Sequence, residues 1–266
     1  MPNHVTNILT VKGTEKQVKE VMDTILENDE VTFDKFAPMP EDLVKVTSPV
    51  SVVSQKEYDE KKAELERKLA SGESVWSTTL PITKEMQKDY IEKYGADNWY
   101  DWARQNWGTK WGAYNGYRLD ENHVTFQSAW STPVNAMITL SEKFPEVVIN
   151  VEYADEDFGH NVGEYDVQGG EIIKENVPKG GSMEAMEMAL DIQGGEDYYF
   201  GEMIYDMSEG DIEDSWNNKV LHLIVKKEYI DSDYPTFIQE YLLNLAVENE
   251  QFEYASKLRD VLKVEN

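Results

Sequence analysis

The chain has 266 residues, with 52 acidic against 25 basic residues, a net charge of −27 and no cysteine. Such a negative surface repels phosphate backbones and anionic lipids and favours cationic partners. The lack of cysteine removes disulfide and thiolate chemistry and fits a reducing cytoplasm, and no apolar run approaches the ~20 residues of a membrane span.

Residues 4–38 show the first strand–helix–strand pattern. Residues 5–11 are typical of a strand: Val5, Leu9 and Val11 fall on one face with Asn7, and Thr6, Ile8 and Thr10 fall on the other. Thr14 and Gln17 form the capping-box pattern of a helix start, and an apolar stripe then predicts a helix to about Glu27. A second strand is predicted over residues 31–36.

Residues 106–159 hold the clearest second pattern of the same kind. Alternation over residues 123–127 predicts a strand, and the Thr132-Pro133 pair predicts the start of a helix that ends at Pro145. Residues 147–153 are rich in β-branched side chains and predict the returning strand.

Two such units in series predict an α+β fold of the ferredoxin-like type, in which a split βαβ arrangement forms an antiparallel sheet. The segment 41–105 is then a helical insertion between the second and third strands, with helices at 57–69, 83–94 and 99–107. It could form a lid or a partner-binding knob. Residues 164–177 predict an additional hairpin, and the first domain is expected to span residues 1–180.

Five sequence blocks occur in order along this part of the chain: MPNHVTNILTVKG at 1–13, FAPMPEDL at 36–43, NWGTKWGAY at 106–114, FQSAWSTP at 126–133 and YADEDFGHNVGEY at 153–165. Together they resemble the YubB ferredoxin-like domain family of phage and plasmid proteins. The resemblance covers residues 1–180 and implies a ferredoxin-like fold in a mobile-element protein of a bacterial cytoplasm. It brings no activity, so it assigns no catalytic residue.

Residues 181–266 are predicted to form an acidic α/β extension that packs on the first domain. It contains a methionine-rich helix at 182–190, a buried strand at 220–225 and a helical hairpin at 234–263. The hairpin resembles the UVR motif, which serves protein–protein contacts, although an apolar helix pair can also simply cover its own core. The matching positions are Ala246, Glu250, Phe252, Ala255, Leu258, Arg259 and Asp260.

Acidic residues are concentrated in the segment from Glu146 to Asp214, which contains 20 of them and only two lysines, a net charge of −18. Such a run is ordinarily a solvated face. The sharper hypothesis is that it imitates nucleic acid and binds a basic surface of a host protein, such as a nucleic-acid-handling or defence enzyme. The residues assigned to this contact are Asp155, Glu156, Asp157, Glu164, Asp166, Glu196, Asp197, Glu209, Asp211, Glu213 and Asp214.

An aromatic patch supports a different function. Trp107, Trp111, Tyr114 and Trp130 could stack on the bases of single-stranded DNA or RNA, as aromatic platforms of ferredoxin-like sheets do. Base-stacking sites lie in basic grooves, however, and few basic residues are near. Core packing or protein contact is therefore favoured, and direct nucleic-acid binding is not expected.

The turn Asp155–Asn161 leaves a third alternative, a metal-dependent enzyme that uses Asp155, Asp157 and His160. Its alternating carboxylates resemble a calcium loop, but the glycine falls at the wrong position for an EF-hand. The sequence has no GxxxxGK[ST], GxSxG or HExxH motif. We therefore predict no catalytic residue, no metal site, no cofactor and no membrane contact.

Overall fold

The first strand of the chain lies inside the main sheet. The computed structural model describes residues 3–74 and 78–264, and within these ranges it describes only the backbone of residues 196–198, 202 and 262–264. The first strand, β1, spans His4–Lys12. Its buried positions alternate from Val5 to Val11, as predicted. Residues Val5 to Lys12 pair antiparallel with Asp155 to Val148, so the first and last strands of the predicted units share one sheet.

The chain divides into two compact units. The first contains Met1–Glu156 and Glu164–Asn176, and the second contains Asp157–Gly163 and Val177–Asn266. The strands that follow β1 are β2 Leu26–Glu27, β3 Glu30–Val31, β4 Val52–Val53, β5 Ile82–Thr83, β6 Tyr114–Arg118, β7 His123–Ala129, β8 Val148–Asp155, β9 Val162–Gln168 and β10 Glu171–Asn176. The main sheet has six strands in the order β10-β9-β8-β1-β7-β6, with antiparallel pairing of β1 to both neighbours and of β6 to β7.

Two helices pack their apolar faces against this sheet. α1 (Glu15–Ile25) begins at the predicted capping box of Thr14 and Gln17. α6 (Val134–Lys143) buries Met137 and Leu140 in the same core. Each fully buried aliphatic side chain of this kind contributes about 1.5–3 kcal/mol. The α+β class and the ferredoxin-like antiparallel sheet are confirmed.

The strand predicted over residues 31–36 is wrong in extent. Only β3 is extended, and it pairs with β2 outside the main sheet. Phe33 and Phe36 are buried in a turn instead, where the carbonyl of Phe33 accepts a hydrogen bond from the amide of Phe36 (3.1 Å). The edge of the main sheet beside β7 is formed by β6, whose residues follow the helical insertion in the sequence.

The insertion forms the three predicted helices. They are α3 (Gln55–Ala70), α4 (Lys84–Tyr94) and α5 (Trp99–Asn106), preceded by the short α2 (Glu41–Val44). All of α3 is described and none of its residues is buried, which explains its charged composition. Gly95 caps the C-terminal end of α4 with a φ of 75°, which a side chain would strain. Asn98 caps the N-terminal end of α5, because its Oδ1 accepts hydrogen bonds from the amides of Tyr100 and Asp101.

The second unit is helical where the sequence predicted a mixed extension. Its helices are α7 Met183–Gln193, α8 Glu196–Ile204, α9 Ser215–Lys226, α10 Thr236–Glu248 and α11 Phe252–Val264, with a 3₁₀ turn at Glu209–Glu213. The methionine-rich helix and the C-terminal helical hairpin are confirmed. The buried strand predicted at 220–225 is wrong, because that run lies in α9. A short apolar run has no decisive periodicity, and Asp214 starts the helix by accepting the amide of Trp216 (2.8 Å).

Among the described residues, no helix has both the length and the apolarity that a membrane crossing requires.

Candidate functional site

The aromatic patch predicted from the sequence divides into a core part and an exposed part. Trp107 is only 5% exposed and meets Trp102 edge to face, with ring centroids 5.3 Å apart. Its indole N–H donates to the carbonyl of Ala37 at 2.8 Å. Since both its rings and its polar atom are used inside the protein, Trp107 is a core residue and not a stacking platform.

Trp111 and Trp130 both contact the ammonium of one lysine. The ammonium nitrogen of Lys110 is 4.9 Å from the Trp111 ring centroid and 4.4 Å from the Trp130 ring centroid. Both distances fall within the ~6 Å range of a cation–π contact. No carboxylate of the described residues forms an ion pair with this ammonium. The two indoles are therefore its charge-stabilising neighbours.

These residues line a cavity of about 700 Å³, which we call the aromatic pocket. The ring of Trp130 meets that of Tyr100 edge to face at 6.2 Å, and Tyr100 meets Trp99 in the same way at 5.7 Å. Edge-to-face pairs of this kind are a favoured aromatic geometry. The pocket is lined by Ser48, Pro49, Val50, Asp97, Asn98, Trp99, Tyr100, Asp101, Lys110, Trp111 and Trp130.

Two carboxylates that line the aromatic pocket are held by hydrogen bonds. The buried Asn98 donates from Nδ2 to Asp97 Oδ1 at 2.8 Å and to Asp101 Oδ2 at 2.7 Å. Gln87 donates to the other oxygen of Asp97 at 2.8 Å. The position of both negative charges is thus set by the N-terminal end of α5.

The loops that carry Lys110 and Trp130 are tied to each other. The buried Thr109 donates from Oγ1 to the carbonyl of Ala129 (2.7 Å) and accepts the amide of Ala129 (3.1 Å). Ser131 Oγ donates to the carbonyl of Gly108 at 2.7 Å. Supporting hydrogen bonds directly next to both side chains hold the pocket in a defined geometry.

Trp130 combines exposure with an unusual backbone. Its side chain is 43% exposed and its φ is 72°, in the left-handed region that a bulky residue rarely adopts. Such a conformation costs about 1–3 kcal/mol and is concentrated at functional sites. The amide of Trp130 donates to the carbonyl of Asn3 at 3.0 Å, which helps to hold it.

Tyr114, the fourth residue of the predicted patch, has another role. Its hydroxyl lies 2.6 Å from Nδ1 of His4 and donates to the carbonyl of Ser128 at 3.3 Å. Burial, together with the negative charge of Glu156, raises the pKa of this tyrosine. Its ring centroid is 6.2 Å from that of Trp111, but Tyr114 does not line the pocket.

Several predicted contact acids of the first unit are engaged internally. Asp155 is buried and accepts a hydrogen bond from Asn3 at 3.0 Å. Glu164 pairs with Lys174 at 2.7 Å, and this contact raises the lysine's pKa. Asp166 accepts from Asn150 at 2.7 Å and pairs with Lys12 at 3.4 Å. Of the predicted acids in this unit, Glu156 is the exposed one.

The second unit holds the other predicted acids. Asp211 accepts from the amide and hydroxyl of Ser208, which lowers its pKa, and Asp214 caps α9. Glu209 and Glu213 are exposed and have no ion-pair partner among the described residues. The side chains of Glu196 and Asp197 lie outside the described part of the chain.

The metal site of the alternative interpretation is not formed by its three residues. No group of three or more His, Cys, Asp or Glu in the described ranges could hold a metal ion. His160 stacks on Trp216, with centroids 5.7 Å apart and an interplanar angle of 13°, and its Nδ1 is 3.7 Å from Asp157. The buried Asp155 bonds to Asn3 instead.

Sequence reasoning missed Asp97 and Asp101 as pocket residues and missed the contact of Lys110 with two indoles. The adjacent Lys110-Trp111 pair was the available signal. The remaining members come from residues 48–50, 97–101 and 130, and no local pattern in the sequence joins these three segments.

Comparisons with known proteins give a family resemblance for part of the chain. Residues 106–194 match the family described as the ferredoxin-like domain in Api92-like protein. The crystal structure of a protein Api92 from Yersinia pseudotuberculosis matches with 14% identity and a TM-score of 0.36, over 67% of this chain and 99% of that one. No curated protein matches. The chain thus carries a ferredoxin-like domain similar to that of Api92-like proteins.

Proposed function

We propose that the protein is a non-enzymatic binding protein whose acidic residues engage a basic surface on another protein. The observation that carries the proposal is the segment 206–214, which we call the acidic turn. Its acids Asp206, Glu209, Asp211, Glu213 and Asp214 are all exposed, and the sequence has no lysine or arginine between Lys179 and Lys219. A basic partner would supply the missing countercharge.

Electrostatics favours such a partner kinetically as well as thermodynamically. A net charge of −27 attracts a basic protein over a range set by the Debye length, ~8 Å at physiological ionic strength. Complementary fields of this kind raise association rates and reject partners of like charge. Binding is therefore expected to weaken steeply as salt is added.

The resemblance to the YubB family supports a narrower form of the proposal. In a phage- or plasmid-type protein that acts in the bacterial cytoplasm, the partner is a host enzyme that handles nucleic acid, including restriction and CRISPR defence enzymes. Its basic groove would accept carboxylates in place of phosphates, and the acidic protein would inhibit it by mimicry of nucleic acid.

A salt-dependent pull-down tests the proposal. The wild-type protein should retain a basic protein from bacterial lysate at low salt and release it at high salt. The double variant Glu209→Lys/Glu213→Lys should lose that protein. The double variant Glu66→Lys/Glu85→Lys, which changes the same net charge at exposed positions of α3 and α4, should keep it. Equal retention by both variants, or retention that ignores salt, contradicts the proposal.

A further inference from the structure

Lys110 shows that the aromatic pocket can hold a cation. Its ammonium lies over two indole rings, 4.4 Å from the Trp130 centroid and 4.9 Å from the Trp111 centroid. We propose that this position is the receptor for an arginine side chain of a basic partner and that Lys110 is its internal placeholder. The inference rests on the proposed function, because it names the group that a basic partner would insert.

The two indole rings favour a guanidinium over the ammonium of Lys110 that now contacts them. A guanidinium is planar, stacks on aromatic faces and is less strongly hydrated than an ammonium. Trp is also the best aromatic partner for a cation. Lys110 has a flexible stem and no ion pair among the described residues, so its ammonium can move into solvent when an arginine enters.

The charges that line the pocket point to the same ligand. Asp97 and Asp101 line it and are oriented by Asn98. A carboxylate has about four acceptor sites, so each can accept further N–H groups, and a guanidinium has five to donate. Once Lys110 has left, no basic side chain remains among the described residues that line the pocket, and the two carboxylates attract the incoming cation.

A single-stranded nucleic acid fits these charges less well. Base-stacking sites combine aromatic rings with a positively charged groove that follows the phosphates. Here the described lining residues include one lysine and two carboxylates, and the chain carries a net charge of −27. The same aromatic rings would bind bases, but the charges around them would repel the backbone.

The experiment measures the Kd of the full-length protein for an acetylated, amidated tetra-arginine peptide by titration calorimetry. A tetra-lysine peptide and a ten-residue oligothymidylate are titrated in parallel. We expect the arginine peptide to bind most tightly. Trp130→Ala should weaken its binding about fivefold or more, in line with ~1 kcal/mol or more for a cation–π contact. Phe252→Ala, an exposed aromatic residue of α11, should leave the Kd unchanged.

The direction in which Lys110→Ala changes the Kd of the arginine peptide decides between two roles for this lysine. If Lys110 is a placeholder, its removal empties the position and removes a like charge, so the arginine peptide should bind more tightly. If Lys110 is instead a contact for an anionic ligand, its removal weakens binding. Unchanged or weaker peptide binding by Lys110→Ala, or binding of the oligothymidylate in preference to the peptide, overturns the inference. Circular dichroism of each variant confirms that it is folded.

The two proposals can fail separately. If the lysine double variant of the acidic turn loses its partner while Trp130→Ala binds the peptide like wild type, the partner proposal stands and the pocket inference is wrong. If the peptide behaves as expected but no basic protein is retained from lysate, the pocket inference stands and the partner proposal is wrong.

Discussion

Trp107 and Trp130 occupy two regions of one unit that look alike in sequence and differ in structure. Both residues lie in short connections of an aromatic-rich stretch. Trp107 is 5% exposed and its N–H is bonded inside the protein, whereas Trp130 is 43% exposed, has a φ of 72° and faces Lys110. The comparison teaches that aromatic content does not define a binding site. Exposure, backbone strain and a neighbouring charge distinguish the two.

A similar contrast separates the acidic residues. Glu164 and Asp166 on β9 pair with lysines across the sheet, but Glu209 and Glu213 in the acidic turn have no such partner among the described residues. Charge that is balanced within the fold does little for a partner. For this reason, the acidic turn carries the proposed contact and the sheet acids do not.

The largest expected effect is the loss of stability on replacing the buried Trp107. Trp107→Ala removes a core indole and its hydrogen bond to Ala37, and it should lower the free energy of unfolding by about 3–5 kcal/mol. Trp130→Ala, the matched change at the exposed side, should cost far less. Urea denaturation followed by circular dichroism measures both. Equal costs would show that Trp130 is also a core residue.

A smaller effect is expected at Gly116 in the edge strand β6, which packs closely against its neighbours. A Cβ added at Gly116 would lie 2.8 Å from Cβ of Val31 and 2.9 Å from Cβ of Phe126. Gly116→Ala should therefore destabilise the protein by about 1–3 kcal/mol through overpacking. Gly112→Ala serves as the control, because its nearest neighbour is 3.8 Å away. The melting temperatures of the two variants should differ clearly, and indistinguishable values would contradict the close approach of β3 to β6.

The smallest expected effect concerns the backbone conformation of the exposed Trp130. Glycine adopts a φ of 72° without the penalty of about 1–2 kcal/mol that a Cβ brings. Trp130→Gly should therefore be more stable than Trp130→Ala by about 1 kcal/mol, although both variants lose the indole. The difference is read from urea midpoints measured side by side. If the alanine variant proves more stable, the backbone at this position is not strained as described.

Where periodicity is long and regular, the sequence predicts the fold. β1, α1, the β9–β10 hairpin, the three insertion helices and the C-terminal hairpin form where their patterns indicated. The run 220–225 and residues 31–36 are the failures, and both are short apolar segments. In such segments, helix, strand and buried turn present nearly the same pattern, so the surrounding structure decides among them.

By itself, the amino-acid sequence determined the negative charge, the α+β class and the position of most helices, because these depend on composition and on contacts close along the chain. Only the tertiary structure decided that Trp107 is buried, that Asp155 is internally bonded and that Lys110 contacts the rings of both Trp111 and Trp130. These facts depend on segments far apart in sequence, and local patterns contain no record of which distant side chains will meet. The aromatic pocket is thus a product of the folded chain.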